Sequence, residues 1–130
     1  MRFMINASLN YVGGGLQVTL SFIKECITIP GNIYYVLISE NVSAQIVKTE
    51  YPSNFIFYDI PSLKFYQYNS YLTRIEKRIH PDIVFSIFGP VYWKSSVPHV
   101  MGFAIGHYIY DDSPYWNIIS KKEQLLLKIR

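Results

Sequence analysis

Short apolar runs alternate along this chain with stretches of helical spacing, and that alternation restricts the folds open to it. "RFMINASL" is apolar at Phe3, Met4 and Ile5 and stops at Asn6, as a short buried strand does. Residues 33–39, 54–60, 83–87 and 97–103 read as four further strands. Between them, Leu16, Leu20, Ile23 and Ile27 predict a helix over 15–28, ended by Pro30 and Gly31. Asn41 predicts the cap of a short helix within 41–49. Pro61 and Ser62 predict the start of a long helix over 62–79, with Leu63, Tyr66, Asn69, Leu72, Ile75 and Ile79 on one face. His80, Pro81 and Asp82 stop it, and 117–130 reads as a last helix. The expected fold is α/β, a three-layer domain with a parallel sheet of about five strands in the order 3-2-1-4-5 and helices on both faces. Ligands of such sheets bind beyond the carboxyl ends of the strands.

A chain of 130 residues suits one domain, spanning 1–130, with a core of its own. Half of it is apolar and only 16% is charged, which excludes a disordered composition. Aromatic residues reach 17%, enough to leave an aromatic surface for a partner. The net charge of +3 is too small to argue for nucleic acid. Cys26 stands alone, so an internal disulfide is excluded and a reduced, cytosolic setting fits. "MRFMINASLN" does not read as a signal peptide, and no apolar stretch approaches the ~20 residues of a membrane helix.

Three consecutive glycines, Gly13, Gly14 and Gly15, follow the first strand and open the first helix in "NYVGGGLQVTLSFIKEC". Glycine costs backbone entropy and packs nothing. In a first strand-to-helix turn it lets a backbone approach an anionic group near free helix N–H groups. The dinucleotide fingerprint from Gly13 would require glycine at position 18, which is Val18, and no Lys-Ser or Lys-Thr follows as in a phosphate-binding Walker loop. From the residues alone, a simple turn and a ligand-approach loop both stand.

"MINASLNYVGGGLQVTLSFI" resembles the amino terminus of family-4-like glycosyltransferases of the GT-B fold, with its strand, Gly-Gly loop and helix. "HPDIVFSIFGPVYWKSSVPHVMGFAIGHYIY" resembles the later part of the same amino-terminal domain, with its Pro-Asp strand, its second strand and its His-bearing loop. The resemblance implies a Rossmann-like, acceptor-side half of a retaining, metal-independent transferase. Its partners would be a nucleotide-sugar and a polysaccharide or glycolipid acceptor. It implies no cofactor, and a cytoplasmic site with peripheral association at the inner face of a membrane. The expectation is an isolated amino-terminal domain, ending at Arg130 without its second half, inactive alone and prone to self-association. The alternative is a non-enzymatic, flavodoxin-like module binding a ligand or partner. A response-regulator reading needs a phosphorylatable aspartate at a strand end, and it is disfavoured because the first strand ends in Asn6 and the third offers only Asp59.

By resemblance, Gly13, Gly14 and Gly15 lie close to donor or acceptor, and His107 is the cleft histidine with a catalytic role. Tyr92, Trp93 and Tyr108 are expected to bind substrate or donor, within an aromatic group that includes Tyr110, Tyr115 and Trp116. Each of these also has an ordinary reading: a surface-loop histidine, or rings covering a domain edge. Ser86, Gly89 and Pro90 shape the loop after strand four. His99 reads as a satisfied core or edge residue, His80 as part of a helix stop, Asp111 and Asp112 as solvated loop charges, and Cys26 as core. The three histidines share no metal-ligand spacing.

Overall fold

A computed structural model describes residues 1–10, 13–89, 91–103 and 112–128. The element order is β1 (Arg2–Ala7), α1 (Gly13–Glu25) with a 3₁₀ turn (Cys26–Thr28), β2 (Ile33–Ile38), α2 (Glu40–Ser43) with a 3₁₀ turn (Lys48–Glu50), β3 (Phe55–Asp59), α3 (Phe65–Ile79), β4 (Ile83–Ser86), β5 (His99–Met101), α4 (Tyr115–Ile118) and α5 (Lys121–Lys128). The five strands form one parallel sheet in the order β3-β2-β1-β4-β5, the order expected from the alternation. β1 is central, with Met4 beside Tyr35 and Val84, and Ile5 beside Val36 and Phe85.

Successive strand residues point to opposite faces, and both faces are covered, so neighbours such as Met4 and Ile5 are both fully buried. Ile5, Val36 and Ile38 pack with Leu16, Ile23 and Val42 of α1 and α2. Met4, Leu37 and Val84 pack on the other face with Tyr68, Leu72 and Ile79 of α3, and with Trp93. No helix among the described residues is long and apolar enough to cross a membrane.

Several boundaries differ from the sequence expectation. α1 begins at Gly13 rather than Gly15 and buries Leu16, Thr19 and Ile23. Its tail tightens into the 3₁₀ turn, which turns Cys26 inward and leaves Ile27 exposed. α2 is capped by Ser39, not Asn41: the extended Ser39 accepts the Val42 N–H on its side chain, and its own Oγ donates to the Asn10 carbonyl at 2.7 Å. α3 starts at Phe65, after the extended Lys64, and its buried stripe is Tyr68, Leu72, Glu76 and Ile79. Tyr66 is consequently 69% exposed instead of core. His80 ends α3 in the left-handed conformation, φ 50°. The last helix is broken at Ser120, which exchanges hydrogen bonds with Glu123 (Ser120 N–H to Glu123 Oε2 at 2.9 Å, Glu123 N–H to Ser120 Oγ at 3.3 Å). That reciprocal exchange is a capping box, so the chain starts a new helix there.

Candidate functional site

The carboxyl ends of the strands gather three features: the start of α1, the segment after β4, and a groove beside β3. β1 ends at Ala7, and Asn10 closes the turn with its N–H on the Ala7 carbonyl at 3.3 Å. The buried Asn10 side chain donates to Thr19 Oγ1 at 2.7 Å, and that hydroxyl donates to the Gly15 carbonyl at 2.8 Å. Ser39, just after β2, holds the Asn10 carbonyl. The entry to α1 is thus tied both to its own helix and to the neighbouring strand.

The glycines are not equivalent. Gly13 has φ +65°, a conformation that side chains disfavour. A Cβ on Gly13 or Gly14 would meet nothing within 4 Å, whereas one on Gly15 would touch the Phe88 ring at 3.6 Å. Two other glycines are the ones required by the protein's own packing. A Cβ on Gly89 would strike the Met101 side chain, and one on Gly102 would strike the Ile87 carbonyl. There the Gly89 N–H donates to the Gly102 carbonyl and the Gly102 N–H to the Ser86 carbonyl, extending the β4–β5 pairing.

Beyond β4, Tyr92 is half-exposed and meets Phe65, at the start of α3, edge to face with centroids 4.5 Å apart. Trp93 turns the other way and is only 5% exposed, within the core of the α3 face. Of the expected pair, only Tyr92 therefore offers a ring at the surface. Tyr115 and Trp116 open α4 and form their own T-shaped contact. His107, Tyr108, Tyr110 and Asp111 lie outside the described residues.

The groove, ≈ 520 Å³, is lined by Glu40, Ser43, Ala44, Asp59, Ile60 and Pro61. Asp59 accepts from Lys48 Nζ at 2.5 Å and from Ser43 Oγ at 2.6 Å. The Lys48 hydrogen bond above all, then that from Ser43, holds its carboxyl below the usual range.

A buried polar chain under β4 and β5 went unread as a unit in the sequence. Ser8 Oγ donates to Asn6 Oδ1 at 2.7 Å, Asn6 Nδ2 to Ser86 Oγ at 3.0 Å, and Ser86 Oγ lies 2.8 Å from His99 Nε2. His99 is thereby satisfied, and burial holds its imidazole below the ordinary 6.5, partly offset by Glu76. The Ser86–His99 spacing is that of a nucleophile and its base. Ser86 is, however, 0% exposed and already accepts from Asn6, so no substrate reaches it. The available signal was single polar residues inside apolar strands, in "FMIN", "IVFS" and "PHVM". Among the described residues, no group of three or more His, Cys, Asp or Glu is placed to hold a metal ion.

Comparison with protein-family models, with curated proteins and with solved structures finds no match for the chain.

Proposed function

We propose that the chain is the amino-terminal, acceptor-side domain of a retaining glycosyltransferase that transfers a sugar from a nucleotide-sugar to a polysaccharide or glycolipid acceptor. One observation carries this reading. The open Gly13–Gly14 backbone, at the start of a 13-residue helix, stands beside the point where the strand order reverses between β1 and β4. In open parallel sheets that crevice is where ligands bind, and helix N–H groups favour an anionic group such as a diphosphate. Tyr92 and Phe65 add exposed ring surface at the same end of the sheet, of the kind that stacks on pyranose faces. The same features suit the alternative, a module that binds such a ligand without chemistry. Catalysis, in the transferase reading, needs groups positioned on both sides of a cleft.

The test is an amide chemical-shift titration of the 130-residue chain with uridine and guanosine diphosphates and with short oligosaccharides. Shifts centred on Gly13, Gly14 and Gly15, with weaker ones at Tyr92, are expected. Saturating shifts elsewhere, or none up to millimolar ligand, would overturn the proposal. A sugar-transfer assay, with the chain alone and with a supplied nucleotide-binding half, then separates the transferase from the binding module.

A further inference from the structure

The buried polar chain ends on a titratable group, His99. The Ser8 backbone N–H can only donate, and it meets Asn6 Oδ1 at 3.2 Å, which orients the Asn6 amide. Asn6 Nδ2 therefore donates to Ser86 Oγ, and when His99 Nε2 carries no proton the Ser86 hydroxyl donates to it. In that tautomer the imidazole is neutral, with its proton on Nδ1. A second proton on Nε2 would put two donors on Ser86 Oγ and leave the hydroxyl proton without that acceptor.

His99 also seats the segment that precedes β5. Its ring lies against Trp93, centroids 5.2 Å apart. The same segment is clamped to α3 by Glu76, whose Oε1 accepts from Ser96 N at 2.8 Å, Ser96 Oγ at 2.5 Å and Ser95 Oγ at 3.0 Å. Glu76, 3% exposed, is the charged group acting on His99. Ser86 from β4, Asn6 from β1 and Trp93 carry no charge. Trp93 Nε1 is buried and finds no acceptor among the described residues, so the seated position leaves one donor unsatisfied. β5 itself is only three residues long and adds little ladder to hold the segment.

We propose that His99 is an acid-sensitive latch: neutral, it accepts from Ser86 and seats Trp93, and when Nε2 takes a proton the buried Ser86 hydroxyl loses that acceptor and residues 91–98 lift from α3, carrying Tyr92 with them. The Glu76 charge opposes this opening, since it favours the charged imidazole in the seated position, and burial outweighs it. The sign follows from burial. The folded pKa lies below the unfolded value near 6.5, so the latch is closed above that value and opens as pH falls through the folded pKa. This device is independent of which ligand the glycines meet.

The experiment uses the full chain carrying Trp116→Phe, which leaves Trp93 as its sole tryptophan. Emission, acrylamide quenching and far-ultraviolet circular dichroism are followed from pH 8 to 5. A one-proton transition is expected, its midpoint below 6.5, with the quenchable population growing about tenfold for each unit that pH falls towards the midpoint and the helical signal retained. His99→Gln, whose amide still reaches Ser86 but does not titrate, should abolish the transition. Ser86→Ala, which removes the bridge, should move the midpoint upward. No transition, one that persists in His99→Gln, or one that coincides with loss of the helical signal would overturn the proposal. Should His99→Gln fail to fold, the Ser86→Ala midpoint decides, and an unmoved midpoint refutes the latch.

Discussion

Replacing each glycine of the triplet with alanine separates a turn from a ligand loop, because the structure assigns the three positions different signs. Gly14 lies in the first turn of α1, is not among the positive-φ residues, and a Cβ there meets open space. Alanine should therefore stabilise the chain by about 0.4–1 kcal/mol, mainly by narrowing the unfolded ensemble. With an unfolding entropy near 2.1 cal/mol/K per residue, a chain of 130 residues converts this to a rise in Tm of about 1.5–4 °C. Gly13, at φ +65°, should behave oppositely, losing about 1–2 kcal/mol, or about 4–7 °C. Gly15→Ala places its Cβ in ordinary contact with Phe88 and should be neutral or mildly stabilising. Thermal melts by circular dichroism read these shifts, and the diphosphate titration is repeated on each variant. If the loop receives a ligand, Gly14→Ala gains stability and loses affinity together, a pairing that no purely structural role produces. A lower Tm for Gly14→Ala would refute the reasoning about its open space. A higher Tm with unchanged affinity would remove the glycine from the site.

Gly102→Ala should cost about 1–3 kcal/mol, since its Cβ meets backbone, and Gly89→Ala clearly less, since the Met101 side chain can swing away; equal melts would contradict the contacts. Cys26 is buried and its thiol pushed up to about 11, first by burial and then by Glu25. Its reaction with a disulfide reagent at pH 8 should therefore be more than about a hundredfold slower than in urea-unfolded chain, and comparable rates would show the site to be open. Exposed Phe65 and Tyr66 beside Tyr92 should drive concentration-dependent association in sedimentation, reduced by the double change Phe65→Ser, Tyr66→Ser. A monomer at high concentration would count against an associating aromatic surface.

The sheet was legible because its strands are apolar on both faces. Runs such as "IYYVLI" leave little choice but the middle of a parallel sheet, and the crossovers then dictate the order. Helix edges were harder, since several residues competed for each cap. "SEN" after β2 holds two good caps, and Ser39 prevails because its hydroxyl also reaches the Asn10 carbonyl from another loop. The stripe of α3 departs from the expected face because Leu63 lies before the helix, packed on the same core but outside the helical spacing. Glu76 could not be read as buried at all: its three hydrogen bonds come from Ser95 and Ser96, far along the chain. The glycine triplet was conspicuous, whereas the glycines under steric demand, Gly89 and Gly102, are isolated in sequence and meet only through the β4–β5 pairing.

The polar residues inside the sheet have a structural consequence of their own. β1 and β4 are joined through a long excursion by β2, β3 and α3, so no tight turn fixes how they pair. Apolar contacts alone discriminate weakly between registers along two runs of similar residues. Asn6 and Ser86 are register partners across that seam, and each satisfies the other on the α3 face. A slip of one residue would carry Ser86 to the opposite face, among Ile5 and Leu16, and leave both polar groups buried without their partner. Each such group costs about 1–3 kcal/mol, which makes the slipped pairing the losing one. The interaction that places His99 under Trp93 thus also sets the register of the two strands flanking the candidate ligand crevice.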